Sequence, residues 1–393
     1  MKEVFITKID RIASGGAGLA RIEGKPVFIN GSAPGETVFC RTIKEHPSWL
    51  EAELLEIIED SPNRVKPLCC YYGKCGGCNL QHLDYQTQLA VKAGILKDVF
   101  LKIGGFNPPE PKVIPSPPWE YRNRIQFHIG RDSNKGIYLG LKALESDKVI
   151  PITDCPIAVS GIRKKLQVKN GLSSIITPEK DRFTVYSQND LFLSENGITR
   201  GKIGVLDRNI ILDVRVFFQS NGIMLEKLIA GLEIISSQVL NIDFSLPMAD
   251  IFCGTGIFAA FFGDKFPSVD LVEENKYALG LAQENLKAIK TANFYGQKSE
   301  KWIKNHNCCG YGLVIADPPR KGFAHTFAKE LEANGPPVLI YISCDPATLA
   351  RDSKILIKKY NLIELCLYDF YPQTSHIESL AVFSRRKTNE KTS

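Results

Sequence analysis

The chain lacks any long hydrophobic run. Its longest apolar stretch, Ile257 to Phe262, is far too short to cross a bilayer, which argues against a membrane-spanning helix. The start, Met1 to Lys8, has neither the apolar core nor the small-residue cleavage site of a secretory leader, so a cytoplasmic protein is expected. No internal repeat is visible, and the only biased segment is the polar tail Arg385–Ser393, expected to fray. Charge of one sign is also scarce. A net +6 over 393 residues permits a polyanionic partner without requiring one. What remains, 44% hydrophobic and 23% charged residues, is the composition of a globular protein long enough for two or three domains.

Cysteine is the residue present in excess. There are eleven, an odd number, four of them at Cys69, Cys70, Cys75 and Cys78, with others such as Cys253 and Cys366 in apolar segments. Without an export signal this distribution points to metal-binding or catalytic thiols, not to a disulfide framework. The cluster allows two spacings: C-x5-C-x2-C from Cys69, or C-x4-C-x2-C from Cys70, the latter a plant-type ferredoxin spacing. A fourth ligand is required, and structural zinc accepts four thiolates as readily as an iron–sulfur cluster does.

Punctuation divides the chain into three parts. Residues 1 to 60 predict short strands at Val4–Ile9, Gly18–Ile22, Pro26–Ile29, Thr37–Ile43 and Glu51–Ile58, a small barrel of the kind that often binds nucleic acid. Residues 61–213 hold the cysteine loop, a helix over Leu83–Ile103 stopped by Gly104-Gly105, and strands at Ile125–Ile129, Ile137–Leu144 and Lys148–Ile152; Val205 to Phe218 also reads as strand. Residues 214–393 alternate helix and strand: a helix at Leu225–Ile235, then strands at Pro247–Phe252, Val269–Val272, Leu313–Ile315 and Val338–Ile342. That alternation predicts an α/β, doubly wound, Rossmann-like parallel sheet.

Three loops in the last part carry chemistry. Ala249 to Gly256 leaves a predicted strand through Gly254-Thr255-Gly256, so backbone can approach a ligand closely. Ala259 stands where a dinucleotide fingerprint has its third glycine, and an adenosyl cofactor without pyrophosphate, such as S-adenosylmethionine, fits better than NAD. The next strand ends at Glu273, where a carboxylate can hold ribose hydroxyls, or simply favour a helix start. Asp317-Pro318-Pro319-Arg320-Lys321-Gly322 follows another buried strand, its prolines stiffening the turn that presents Asp317. Cys344, in Ser343-Cys344-Asp345-Pro346, ends a strand just before a helix, a placement expected to lower the thiol pKa and favour the nucleophilic thiolate.

These loops, together with Phe217-Phe218-Gln219-Ser220-Asn221 and Tyr371-Pro372-Gln373-Thr374-Ser375-His376-Ile377-Glu378-Ser379, resemble the motifs of the RNA uracil-5-methyltransferases over nearly the whole chain. The first part is similar to the TRAM domain of the ribosomal-RNA members, the central, mainly β part to their cysteine-bearing domain, and the last to their S-adenosylmethionine-dependent methyltransferase domain. The resemblance implies Cys344 as nucleophile and Glu378 as base, with Gln219, Phe252, Glu273 and Asp317 lining the cofactor and target-base site and Arg320 helping to hold the nucleotide. It also implies Cys69, Cys75, Cys78 and Cys155 as ligands of a [4Fe–4S] cluster, zinc being the alternative and Cys70 a bystander. Two positions depart from the family: Ile257 and Lys298 stand where polar cofactor contacts are usual. The implied substrate is a uridine flipped out of RNA, ribosomal before transfer RNA, methylated at carbon 5 by a monomer. Two rivals are an amino-methylating enzyme, which would follow Asp-Pro-Pro with an aromatic residue where Arg320 stands, and a non-catalytic RNA-binding protein on a degenerate methyltransferase fold.

Overall fold

The computed structural model describes residues 3–132, 136–144, 146–168, 171–177, 179–239 and 242–387. Met1 and Lys2 of the N-terminal segment, and residues 388–393 of the polar tail, lie outside them. Among the described residues no helix is long and apolar enough to cross a membrane.

The C-terminal half is built on an eight-stranded sheet. Seven of its strands are β1 (Met248–Ile251), β2 (Val269–Val272), β3 (Ala292–Tyr295), β4 (Leu313–Ala316), β5 (Val338–Ser343), β6 (Tyr360–Tyr368) and β7 (Glu378–Arg385). Their order is β3-β2-β1-β4-β5-β7-β6, and Lys112–Ile114, from the central part of the chain, adds an edge strand beside β6. The first five run parallel; β7 lies antiparallel between β5 and β6. The central strand β4 and residues 338–342 of β5 read as unbroken apolar runs because both faces are covered. In β4, Leu313 and Ile315 face one core with Leu225, Leu228 and Phe258. Val314 and Ala316 face the other, with Leu96, Phe327 and Leu349. A three-layer sandwich results.

The N-terminal strands form one curled sheet around Ile9, Ala20, Val27, Ile29, Val38, Cys40 and Ala52. It has six strands, the predicted five plus a short Arg11–Ile12. The central part contributes a five-stranded antiparallel sheet with Arg124–Asp132 in the middle. Val205 to Phe218, expected as strand, is instead the second half of a hairpin and a loop. Strands Arg200–Val205 and Arg208–Asp213 turn at Leu206, whose φ is 49°, and residues beyond Asp213 leave the ladder. No glycine marks that turn.

The cysteine loop runs into the helix Tyr85–Val99, capped by Asp84, whose carboxylate accepts from Thr87 N–H at 2.9 Å; such caps stabilise by about 1 kcal/mol. The helix continues as a widened turn over Phe100–Gly104 and ends at Gly105, whose φ of 75° suits a residue without Cβ. Its Leu96 and the following Phe100 pack against the eight-stranded sheet, so the central segment is fastened to the C-terminal half.

Candidate active site and thiol cavity

Loops leaving the C-terminal ends of β1, β2, β4 and β5 meet at one edge of the sheet, where open α/β sheets bind ligands. Strand β7 enters there from the opposite direction. Ser343 of β5 pairs with Ser379 of β7, so one step further along the ladder Cys344 lies across from Glu378. Thirty-four residues apart in sequence, nucleophile and carboxylate are neighbours because the strands are antiparallel. A cavity of about 640 Å³ opens over them, and its wall includes all six residues expected there: Cys344, Glu378, Gln219, Phe252, Glu273 and Asp317. Arg320, Ile257 and Lys298 line it as well.

The cofactor side is built from strained backbone. Phe252 adopts φ 63°, a left-handed conformation that costs a residue with Cβ on the order of 1–3 kcal/mol. Its N–H donates to Val272 O at 2.8 Å, which fixes the turn between β1 and β2. Gly254 and Gly256 follow with φ of 53° and 77°. The Glu273 carboxylate accepts from Gly254 N–H at 3.1 Å and from Asn275 N–H at 2.8 Å. Each oxygen keeps a free lone pair, so this orientation still serves hydroxyl donors. Gln219 is buried, and its Oε1 has no hydrogen-bond partner, an acceptor awaiting a donor in the cavity. Glycine turn, ribose-type carboxylate and orphaned amide oxygen fit an adenosyl cofactor.

The catalytic side departs from expectation in one respect. The Cys344 thiol is not lowered but pushed up to about 11, by burial first, then by the charges of Glu378 and Asp317, with Arg320 opposing. The helix Pro346–Leu356 cannot compensate because Asp345 already uses its free donors, accepting from Ala347 N–H at 2.9 Å and Thr348 N–H at 3.1 Å. Asp317 is raised to about 7 by burial. Glu378, almost fully buried, is raised further by burial and by Asp317, against the pull of Arg320. Burial therefore favours the protonated forms of Cys344 and Glu378.

A second cavity, of about 300 Å³, is lined by Cys69, Cys75, Cys78 and Cys155 together. Cys70 is exposed and outside it. Burial pushes Cys78 up to about 12 and Cys155 up to about 11; each thiol feels the others, and Arg122 opposes. The loop is held by backbone bonds: Gly76 N–H donates to Lys142 O at 2.9 Å, and a Cβ at Gly76 would meet Ala143 O at 3.1 Å. Among the described residues no group of three His, Cys, Asp or Glu side chains is gathered as a single-ion site.

Sequence reasoning missed Arg122, which lines both cavities, and the residues that tie the two regions together. Lys92 and Asp369, both fully buried, pair at 2.6 Å, and Lys92 also donates to Tyr371 O at 2.9 Å. Asn221 caps the helix Gly222–Ile234 and donates to Phe370 O at 3.1 Å. No local pattern announces either, since the partners are remote in sequence.

Comparison with known proteins agrees with this geometry. Residues 300–386 match the tRNA (Uracil-5-)-methyltransferase family, residues 2–55 the TRAM domain, and residues 230–332 the methyltransferase small domain. An uncharacterized RNA methyltransferase of Treponema denticola is 31% identical, the alignment covering 98% of this chain and 99% of the relative. The 23S rRNA (uracil(1939)-C(5))-methyltransferase RlmD of Shewanella denitrificans is 28% identical over 96% of this chain and 94% of its own. The fold matches the tRNA (uracil-54, C5)-methyltransferase of Pyrococcus abyssi, solved with S-adenosyl-L-homocysteine, at a TM-score of 0.73 and 22% identity, covering 96% of this chain and all of that one. A TRAM domain ahead of the eight-stranded sheet, with a near-full-length relative at 31% identity, places the chain among the RNA methyltransferases, and residues 300–386 carry the match to the uracil-5 enzymes.

Proposed function

We propose that the protein methylates carbon 5 of a uridine in 23S ribosomal RNA through a covalent adduct at Cys344. The carrying observation is the meeting of Cys344 and Glu378 across the end of the β5–β7 ladder, in one cavity with Gln219, Glu273 and Asp317. A cysteine and a facing carboxylate have no use in methylating an amino nitrogen. Carbon 5 of uracil, by contrast, is a poor nucleophile until a thiolate adds to carbon 6.

S-adenosylmethionine, when bound, supplies an electrophilic methyl group on a positive sulfonium. Glu273 holds ribose hydroxyls, Gln219 takes a donor on its free Oε1, and Asp317 lies near the incoming positive charge. A cation there favours the ionised forms of Cys344, Asp317 and Glu378, opposing the effect of burial. Cys344 Sγ then bonds to carbon 6, and the electrons of the 5,6 double bond move toward the C4 oxygen as an enolate. Carbon 5 takes the methyl group, leaving S-adenosylhomocysteine. Glu378 removes the proton from carbon 5; those electrons restore the double bond and expel Cys344 as thiolate. Arg320 is placed to hold the nucleotide. The position of Cys344 and Glu378 in the wall of the cavity requires the base to leave its stack.

Ribosomal RNA is favoured by the near-full-length likeness to the Shewanella enzyme. Transfer RNA is the second reading, carried by the family match over residues 300–386. Mapping 5-methyluridine in both RNAs, from cells without the protein and cells given wild type or Cys344→Ala, tests this. Loss of one 23S position, restored by wild type alone, is expected; unchanged 23S RNA with loss in transfer RNA would move the substrate, and rescue by Cys344→Ala would refute the mechanism.

For the second cavity we propose a [4Fe–4S] cluster held by Cys69, Cys75, Cys78 and Cys155. An all-thiol donor set enclosing a 300 Å³ space fits it chemically, and its place is structural. Anaerobically purified protein should contain iron and acid-labile sulfide. Colourless protein with one zinc per chain would replace the cluster with zinc.

A further inference from the structure

The loop leading to the base, Tyr371 to His376, joins β6 to β7, and Glu378 is the first residue of β7. Its successive carbonyls accept from the central segment: Tyr371 O from Lys92 at 2.9 Å, Pro372 O from Tyr121 at 2.9 Å, and Gln373 O from the N–H groups of Asn79 and Leu80 at 3.1 and 3.0 Å. Gln373 itself is held at φ 69°, with its N–H donating to Gln88 Oε1 at 2.8 Å. Two residues on, Ser375 is gripped by one side chain: Asn79 Oδ1 accepts from Ser375 N–H at 2.8 Å, and Asn79 Nδ2 donates to Ser375 Oγ at 3.0 Å. The same Nδ2 donates to Gly15 O of the N-terminal barrel at 2.7 Å. Asn79 follows Cys78 directly, so one amide joins the thiol loop, the barrel and the loop that leads into Glu378.

The barrel side is built for this approach. A Cβ at Gly16 would meet Asn79 Nδ2 at 2.5 Å and Ser375 Cβ at 3.1 Å, and Gly16 has φ 95°. Only glycine brings barrel backbone so close to both. By contrast Cys344 follows β5, a central strand paired on one side with β4 and on the other with β7.

We infer that Asn79 is a positioning residue for proton removal: it sets the loop before Glu378 and relays to it the seating of the barrel and the thiol loop. This rests on Cys344 as nucleophile and Glu378 as base. The two steps separate because their residues have separate supports. Displacing the Glu378 loop leaves bond formation at carbon 6 and methylation in place and slows the step that follows, so methylated RNA stays attached to Cys344.

The test uses full-length protein with RNA carrying [5-³H]uridine and a labelled methyl donor. In wild type, methyl incorporation and tritium release keep pace. In Asn79→Ala, kcat is expected to fall on the order of 10- to 100-fold with KM for RNA little changed, since small misplacements of a catalytic group cost about that much. A denaturation-stable, methylated, tritium-retaining adduct accumulates. Gly16→Ala, which pushes on the same junction from the barrel, gives the same signature. Ser375→Ala, a milder change that keeps the backbone N–H, gives a weaker one, and Asn79→Asp recovers part of the rate through its remaining acceptor. Normal kcat in Asn79→Ala, or a fall in kcat with no adduct in either Asn79→Ala or Ser375→Ala, would overturn the inference while leaving the mechanism standing. Failure of wild type to form any adduct with 5-fluorouridine RNA would instead overturn the mechanism, and this inference with it.

Discussion

Cysteines line both cavities that Arg122 borders, Cys344 among them in the first and four in the second, and their neighbours differ. Cys344 has carboxylates for neighbours, Glu378 and Asp317, and stands at the end of a strand buried on both faces. Cys69, Cys75, Cys78 and Cys155 have one another, on loops held by backbone hydrogen bonds. In both places burial raises the thiols above their usual range. The proposed nucleophile is thus one thiol facing a carboxylate across a ladder end. The proposed cluster ligands are four thiols lining one cavity. Chemistry here follows from the neighbours of a cysteine, not from the cysteine.

The sharpest contrast comes from removing one thiol of each kind. Cys344→Ala is expected to lower methyl transfer by about 10³-fold or more, with an unchanged Tm, because it removes a covalent step and little packing. Cys155→Ser is expected to do the reverse, lowering bound iron and Tm while transfer falls far less. Equal losses of transfer in the two variants would erase the distinction. A smaller effect concerns pH. The Cys344 thiol lies at about 11, so its thiolate fraction at neutral pH is small and rises about tenfold per pH unit until that value is reached. Alkylation of Cys344 in the ligand-free enzyme should therefore run about 100-fold faster at pH 9 than at pH 7. A rate flat over that range would mean a thiol already ionised by the helix start. The smallest effect separates two adjacent residues: Cys70→Ser should leave iron content unchanged, and Cys69→Ser should reduce it, since only Cys69 lines the cavity.

The sheet was legible where burial is uniform. Leu313–Ala316 is apolar from end to end and Val338–Ser343 is so up to Ile342, because both faces are covered, and short apolar runs mark such strands directly. Tyr360–Tyr368 was not legible: its first half is partly exposed and polar, and a bulge between Leu362 and Glu364 breaks its alternation. The Arg200–Asp213 hairpin was hidden by a turn that uses Leu206 at positive φ in place of glycine or asparagine. At the site, the resemblance to a family's motifs brought Cys344, Glu378 and the cofactor residues within reach; spacing alone would have left Glu378 a surface strand carboxylate. Asn79 was beyond it. Its partner Ser375 lies 296 residues away, and nothing in a local pattern records a contact that only the folded chain creates. Arg122 was missed for the same reason. The lowered thiol expected from a helix start failed because Asp345, the residue next to Cys344, takes the helix donors for itself.

The central claim is that Cys344 alone, among eleven cysteines, bonds to the target base. Incubating the protein and S-adenosylmethionine with 23S RNA carrying 5-fluorouridine, then digesting the trapped complex for peptide mass spectrometry, reads this directly. Fluorine at carbon 5 cannot be removed as a proton, so the adduct persists after methylation. The predicted result is one nucleotide-bearing peptide, modified at Cys344 and absent in Cys344→Ala; a complex that forms at another cysteine, or survives that substitution, would contradict the account.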